Sequence, residues 1–234
     1  MSKGKHVISR GVNYIKRYLR YAIGSAKTKG RTKYFCIGQN KTGTTSLQKA
    51  FKQLGFVVGE QVIAEQLMEK HYFSGNFQPL IKYCRSAQVF QDLPFSRIEL
   101  LPHLDQAYPN SRFILTERDS PEQWYESLVR FHSKLFGQNG NIPTGEDLLK
   151  VDYIAPGFAA KAVLLNGTTL DDPYHKPTLI QKYIAHNKTV KTYFHERPED
   201  LLVINLAQPE AYRKFTTFLD VTSPYESFPW ENKT

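Results

Sequence analysis

The stretch from Lys33 to Leu54, KYFCIGQNKTGTTSLQKAFKQL, constrains the chain more than any other segment. It begins with a short apolar run that ends at Gly38 and continues through a loop rich in hydroxyl groups. Apolar residues at helical spacing then predict an amphipathic helix, its apolar face formed by Leu47, Ala50, Phe51 and Leu54. A strand, a glycine-containing loop and a helix in this order direct backbone N–H groups and a helix N-terminus toward an anion. We therefore expect an anion-binding turn here.

The loop differs from a Walker A motif at its lysine. Gly38 and Gly43 have the right spacing, but Thr44 stands where that motif has lysine, and Lys41 comes three residues earlier. The N–H groups and hydroxyls of residues 44–46 are suited to bind a phosphate, and the Lys41 ammonium can follow charge onto a leaving oxygen. The sequence predicts a phosphate-binding loop, with a threonine-capped polar turn as the structural alternative.

The positive charge of the chain is concentrated at its N-terminus. Residues 1–33 contain 10 of the 31 Lys and Arg residues and no acid, which leaves 21 basic and 22 acidic residues in the remainder. The arm also has apolar residues at helical spacing, at Ile8, Val12, Ile15, Leu19 and Ile23. We predict a basic amphipathic arm over 1–32, with a polar linker at 24–32, followed by one domain over 33–234. The arm either packs on the domain or lies on an anionic membrane surface.

Other classes of protein are disfavoured by composition. No apolar run reaches the length of a membrane span, and no signal-peptide core is present, so we expect a cytoplasmic protein with the arm as a candidate peripheral membrane contact. The neutral domain offers no second basic stripe for nucleic acid. Two cysteines, Cys36 and Cys84, are too few for a disulfide framework and are interpreted as buried free thiols.

Continuous apolar runs alternate with helical patterns along the domain. The predicted strands are 33–38, 56–58, 87–91, 112–116 and 201–206, and the predicted helices include 60–70, 78–85, 98–108, 177–195 and 209–219. A capping box at Ser120 opens a further helix with an apolar stripe at Trp124, Leu128, Phe131 and Leu135. We predict a three-layer α/β fold, a central mainly parallel sheet flanked by helices.

Three candidate sites follow predicted strands: the loop 38–46, Asp92 and Arg118. The carboxyl ends of parallel strands meet at one edge, so all three are expected in one crevice. Asp92 is a candidate general base, with a turn-capping role as the alternative. His186 is the rival base, although its place on an apolar helix face favours a hydrogen-bonded core histidine.

The motif Lys-Thr-Gly-Thr-Thr-Ser at 41–46 resembles the 5′-phosphosulfate loop of sulfotransferases that use 3′-phosphoadenosine 5′-phosphosulfate (PAPS). The resemblance runs from about Lys33 to the end of the chain and includes RFILTERDSPEQWYESL at 112–128 and the FPWENKT tail. It implies a P-loop-like fold of the compact bacterial or Golgi-type branch, without the Gly-x-x-Gly adenosine segment of animal cytosolic members. Asn232 and Lys233 of the tail are candidate nucleotide contacts.

The resemblance also implies residue roles. An arginine at this strand end and a serine eight residues later bind the 3′-phosphate in the family; here Arg118 is so placed, but Ser127 comes nine residues later. An ion pair with a neighbouring acid is the alternative for Arg118. Asp-x-Pro turns like the one at Asp92 also occur in bacterial-type members. The expected PAPS-binding residues are Lys41, Thr42, Gly43, Thr44, Thr45, Ser46, Arg118 and Ser127, and the expected catalytic residues are Lys41 and Asp92.

The leading functional hypothesis is PAPS-dependent sulfuryl transfer, with adenosine 3′,5′-bisphosphate as product. The acceptor hydroxyl or amine belongs to a small molecule, glycan or lipid, and no metal cluster is expected. The alternatives are a P-loop kinase of nucleotides or small molecules, and a catalytically idle relative that binds nucleotide or membrane. A kinase needs an acid placed to hold Mg²⁺.

Overall fold

The computed structural model describes residues 20–229. Most of the arm, residues 1–19, and the tail with Asn232 and Lys233 lie outside this range, so the predictions made for them are untested.

A four-stranded parallel sheet forms the centre, in the order β2-β1-β3-β4. Its strands are β1 (Tyr34–Cys36), β2 (Val89–Gln91), β3 (Arg112–Thr116) and β4 (Leu201–Ile204). Register pairs Phe35 with Phe90 on one side and with Phe113 on the other. The second strand along the chain, β2, lies on one side of β1, and the third, β3, lies on the other side. The order of the strands therefore reverses between β1 and β3. In such sheets ligands bind at the carboxyl ends of the strands where this reversal occurs.

Helices cover both faces of this sheet. Their bounds are α1 (20–28), α2 (Thr44–Gln53), α3 (Gln61–His71), α4 (Gln78–Tyr83), α5 (Leu101–Ala107), α6 (Pro121–Leu135), α7 (Gly145–Lys150), α8 (Phe158–Leu164), α9 (Lys176–Tyr193) and α10 (Ala211–Leu219). Short 3₁₀ turns lie at Tyr72–Ser74, Cys84–Ser86, Gln138–Gly140 and Pro198–Asp200. The predicted three-layer α/β fold is confirmed.

Alternate residues of β1 build the two sides of the core. Tyr34 and Cys36 pack with α2 and α10, whereas Phe35 packs with α3, α4, α5 and α9 on the opposite face. A third cluster joins α6, α7, α8 and the first half of α9. Both cysteines are buried free thiols, as predicted, and burial raises the pKa of Cys36. No helix within 20–229 is long and apolar enough to cross a membrane.

Two local predictions are wrong. Residues 56–58 do not form a strand, because only Val58 makes an isolated bridge, to Val89. The expected linker at 24–32 is helical through residue 28 and packs on the domain: the Thr28 hydroxyl donates to the Arg85 carbonyl (3.1 Å). Just before it, the Tyr21 hydroxyl donates to the Lys82 carbonyl (3.1 Å).

Candidate active site

The loop after β1 turns sharply into α2. Lys41 and Gly43 both have positive φ, at 71° and 100°. Gly43 is the N-cap residue and makes no side-chain cap hydrogen bond to the first turn of α2. Thr42 fixes the loop, because its hydroxyl donates to the Gln39 carbonyl (2.6 Å) and contacts the Thr116 hydroxyl at the end of β3. The sharp turn before the N-terminus of α2 has the shape expected of an anion site, and binding of a phosphate there stays a prediction.

Arg118 reaches this loop from the end of β3. Its Nε–H donates to the Lys41 carbonyl at 2.8 Å, and its backbone N–H donates to the Tyr183 hydroxyl at 2.9 Å. Burial lowers the pKa of Arg118 from its ordinary value. The two candidate cations of the sequence are therefore held at one crevice, the point where the strand order reverses.

The acids beside Arg118 are engaged elsewhere. Glu117 accepts from Lys191 (2.9 Å), and Asp119 accepts from Asn205 (2.6 Å) and Gln208 (3.2 Å). Glu117 is thus ion-paired with Lys191, and among residues 20–229 no ion pair joins Arg118 to Glu117, Asp119 or Glu122. The structural alternative for Arg118, an ion pair with a neighbouring acid, is not what the geometry shows.

Trp124 ties the loop to the same crevice. Its indole N–H donates to the Asn40 carbonyl (2.9 Å), and its ring stacks on Tyr183 at a centroid distance of 4.6 Å. The sequence indicated Trp124 only as part of an apolar stripe. The indole N–H of a buried tryptophan needs a hydrogen-bond acceptor. The spacing of apolar residues along a helix does not predict which acceptor that is.

Asp92 follows β2 and faces the loop. Its carboxylate accepts from the Thr44 hydroxyl (3.3 Å) and from the Leu93 backbone N–H (2.9 Å). Burial raises the pKa of Asp92, and these hydrogen bonds and the charge of Lys41 oppose that rise. The Leu93 contact is the turn-capping role, and the Thr44 contact places the carboxylate at the loop 38–46. The role of Asp92 as general base stays a prediction.

The Lys41 ammonium lies over the ring of Phe131, with Nζ 3.7 Å from the ring centre. Burial lowers the pKa of Lys41, helped by Arg118 and Lys134 and opposed by Asp92. A cation over an aromatic face is stabilised by the ring quadrupole. Phe131 and Leu135, the outer half of the α6 stripe, are 39% and 40% exposed and do not belong to the closed core that the stripe predicts.

The remaining predicted site residues differ in how deeply they are buried. Thr44 and Ser46 are buried at the start of α2, whereas Thr45 is exposed. Ser127 is buried on α6, and its pairing with Arg118 stays a prediction. His186 is buried and contacts the Ile37 carbonyl through Nε2 (2.8 Å), and burial lowers its pKa to about 4. This contact fits the core histidine that the sequence favours.

Sequence reasoning missed a buried carboxyl group, Glu65 on α3, whose charge interacts with that of Asp92. It also missed Tyr153, which contacts Glu65. No pattern in the sequence marks either residue, because their contact joins positions 88 residues apart. Within 20–229, no three His, Cys, Asp or Glu side chains are grouped so that they could hold a metal ion.

Comparison with known proteins identifies the domain. The model of the sulfotransferase domain family matches residues 33–234, which is most of the chain. No curated protein matches the sequence. The matched region contains the loop, Asp92 and Arg118 in the crevice just described. The chain therefore belongs to the sulfotransferase family, whose reaction is the transfer of a sulfuryl group.

Proposed function

We propose that the chain transfers a sulfuryl group from PAPS to an acceptor hydroxyl or amine and releases adenosine 3′,5′-bisphosphate. The observation that carries the proposal is the hydrogen bond from Arg118 Nε to the Lys41 carbonyl (2.8 Å). It keeps a loop suited to a 5′-phosphate and a guanidinium suited to a 3′-phosphate in one crevice. A donor with phosphates at both positions fits such a pair of sites.

The donor side is assigned to the loop and to β3. Backbone N–H groups of residues 43–45 and the hydroxyls of Thr44, Thr45 and Ser46 bind the 5′-phosphate. Arg118, with Ser127, binds the 3′-phosphate. The N-terminus of α2 supports this assignment, since its N-cap residue Gly43 makes no side-chain cap hydrogen bond to the first turn.

Lys41 and Asp92 are assigned to the chemistry. Asp92 takes the proton of the acceptor hydroxyl, whose oxygen forms the new S–O bond. The S–O bond to the 5′-phosphate breaks, and its electron pair stays on the phosphate oxygen, where Lys41 stabilises the added charge. A carboxyl group with a raised pKa is the better base near neutral pH, which supports Asp92. His186 is less suited, because its Nε2 is engaged with the Ile37 carbonyl.

A ligand comparison tests the donor assignment. The melting temperature is measured with adenosine 3′,5′-bisphosphate, with adenosine 5′-monophosphate and with ATP-Mg²⁺. Ligand at about 100 times its Kd stabilises the folded state by about 2.7 kcal/mol. We expect the bisphosphate to give the largest shift. A larger shift with ATP-Mg²⁺ would favour the kinase alternative and overturn the proposal.

Lys41→Ala separates an enzyme from an idle relative. We expect turnover to fall by about a hundredfold or more, because the ammonium acts on the leaving oxygen, while bisphosphate affinity changes far less. The control is Lys49→Ala, because Lys49 is exposed on α2, the helix that follows the loop. Equal losses of turnover and affinity would show that Lys41 serves binding only, and absence of turnover in a broad acceptor screen would favour the idle relative.

The proposal also covers the location of the protein in the cell and the role of its N-terminal arm. We place the protein in the cytoplasm, with residues 1–19 as the part of the arm that meets an anionic membrane surface. The support is the absence of acid among the first 33 residues.

A further inference from the structure

A cavity of about 80 Å³ lies beside the loop. Its lining includes Gln39 and Asn40 of the loop and Leu93, the residue that follows Asp92. Polar and apolar atoms contribute about equally to its surface, and its aromatic and large aliphatic lining residues include Trp124, Leu128, Phe131, Phe136, Tyr153 and Phe158. The cavity is therefore bordered by α3, α6 and α8 and lies next to the turn that holds Asp92.

Glu65 is the one carboxyl group among the residues that line this cavity. It is only 6% exposed, and the Tyr153 hydroxyl lies 3.3 and 3.5 Å from its two oxygens. These are long contacts, and a carboxylate has about four acceptor positions, so Glu65 keeps capacity for a further donor. Burial and the charge of Asp92 raise the pKa of Glu65 to about 7, against hydrogen bonds from Gln61 and Tyr153.

The positive groups on the wall do not balance this charge. The Arg97 guanidinium donates to Asn166 Oδ1 (3.2 Å) and to the Leu165 carbonyl (3.0 Å), and its Nε lies 3.5 Å from Glu99. His132 contacts the Tyr174 hydroxyl (2.9 Å), and burial lowers its pKa to about 4, so the ring is neutral near pH 7. The described lining residues thus offer a ligand aromatic surface and the negative charge of Glu65, while the Arg97 guanidinium is paired with Glu99 and its Nε–H makes no hydrogen bond.

We infer that this cavity binds the acceptor, that the acceptor is an uncharged aromatic alcohol, and that Glu65 selects against anionic acceptors. The inference rests on the proposed function and narrows its acceptor from small molecule, glycan or lipid to one class. The aromatic side chains of the lining can stack on a flat ring of the acceptor. A carboxylate or sulfate on the acceptor would face both Glu65 and Asp92, and like charges in a buried site repel strongly.

The rim must move for a ring to enter. A cavity that admits a benzene ring has a volume of about 150 Å³, larger than this one. Phe131 and Leu135 line the cavity and are 39% and 40% exposed, so an outward movement of these two side chains would uncover little buried surface. Such movement takes the Phe131 ring off the Lys41 ammonium, which leaves the ammonium for the leaving oxygen. The transfer step is the one given above, from the donor to the alcohol oxygen, with the proton passing to Asp92.

The test compares two acceptors that differ by one charge, benzyl alcohol and 4-(hydroxymethyl)benzoate, with PAPS as donor. We expect wild-type kcat/KM to favour benzyl alcohol by about a hundredfold, and Glu65→Gln to reduce that preference by about tenfold. Glu69→Gln is the matched control: it lies one turn further along α3, pairs with Lys161 (2.6 Å) and is expected to leave the preference unchanged. An unchanged preference in Glu65→Gln would overturn the role of Glu65.

A pH series tests the same residue without relying on the variant to fold. Between about pH 6 and about pH 8 the wild-type preference for benzyl alcohol should rise as Glu65 ionises. Burial raises the pKa of Asp92 as well, so its ionisation also contributes, whereas Tyr153 and His132 stay neutral over this range. A preference that does not change with pH would contradict the inference.

Failure of the inference is distinguishable from failure of the proposed function. If adenosine 3′,5′-bisphosphate binds and the enzyme sulfates a glucoside but neither aromatic alcohol, the acceptor class is wrong and the donor assignment stands. If the bisphosphate does not bind, the proposed function falls, and the acceptor inference with it.

Discussion

At the scale of single residues, Arg118 has the most specific task. Its Nε is already committed to the Lys41 carbonyl, so its terminal nitrogens are the groups that remain for a phosphate. We expect Arg118→Lys to weaken adenosine 3′,5′-bisphosphate by about tenfold to a hundredfold, because an ammonium cannot bond the loop carbonyl and a phosphate with the same fork. Affinity for adenosine 5′-monophosphate, which has no 3′-phosphate, should change much less.

Calorimetric titration of both nucleotides measures this difference. Arg213→Lys serves as the control, since this arginine is exposed on α10 and pairs with Glu210, the N-cap residue of that helix. Equal weakening of the two nucleotides would show that Arg118 supports the loop and does not read the 3′-phosphate.

Glu65 gives a prediction about stability and pH. Its pKa is raised from 4.5 to about 7 in the folded state, so between these values the folded state holds a proton that the unfolded state has released. Stability therefore falls as pH rises through this window, by up to about 2 kcal/mol between about pH 5.5 and about pH 8. Glu65→Gln removes the titration, so the variant should gain stability relative to wild type at the higher pH.

Urea unfolding of wild type and Glu65→Gln at the two pH values measures that gain. Glu146→Gln is the control, because Glu146 is exposed and pairs with Lys150 of its own helix. If the difference in unfolding free energy between wild type and Glu65→Gln were the same at both pH values, the raised pKa would be wrong.

The positions of Arg118 and Glu65 in the fold differ in how well the sequence predicts them. Arg118 follows a strand end, and the positions after parallel strands meet at one edge, so its place in the crevice could be expected. Glu65 lies within α3, and the spacing of apolar residues in that helix does not predict which distant residues contact it. Its contact with Tyr153 joins two positions 88 residues apart, and the sequence around Tyr153 shows no periodic signal.

At the scale of elements, the turn from β1 into α2 depends on a backbone conformation that side chains resist. Gly43 has φ 100°, and a Cβ there would lie 2.9 Å from Leu206 Cδ2. We expect Gly43→Ala to lower stability by about 1–2 kcal/mol and to weaken adenosine 3′,5′-bisphosphate by about tenfold or more, because the loop N–H groups lose their common direction.

Gly55 provides a matched control on the same helix. It follows the C-terminal end of α2 with φ 81°, and a Cβ there would meet nothing within 4 Å. Gly55→Ala should therefore cost a similar amount of stability in thermal unfolding but leave nucleotide binding unchanged. If Gly43→Ala bound the bisphosphate as well as Gly55→Ala did, the loop would not be the phosphate site.

Elements also show where periodicity stops being informative. The α6 stripe is a helix face as predicted, and all four of its residues line the cavity, but only Trp124 and Leu128 are buried, whereas Phe131 and Leu135 are partly exposed. The spacing of apolar residues defines a face, and tertiary packing decides how much of it is closed. The same limit applies at 24–28, where small and polar residues read as a linker but form a helix packed on the Cys84–Ser86 turn.

At the scale of the whole molecule, charge and packing divide the N-terminal arm into two parts. Residues 20–28 belong to the folded body through Tyr21 and Thr28. Lys33 is also withdrawn from the surface: it is 8% exposed, and its ammonium donates to the Ala87 carbonyl and to Thr28. The basic charge available to an anionic surface is therefore concentrated in residues 1–19 and in the exposed residues Arg20, Lys27, Lys29 and Arg31.

A pair of truncations tests this division. Deletion of residues 1–19 removes five Lys and Arg residues, and each such residue near an anionic bilayer contributes about 1 kcal/mol. We expect this deletion to lower co-sedimentation with phosphatidylserine vesicles by at least tenfold, with melting temperature and bisphosphate affinity unchanged.

Deletion of residues 1–30 should in addition lower the melting temperature, because it removes the helix that packs on the Cys84–Ser86 turn. Vesicle binding that survives the first deletion would exclude residues 1–19 as the membrane contact. A melting temperature unaffected by the second would show that α1 adds nothing to the stability of the domain.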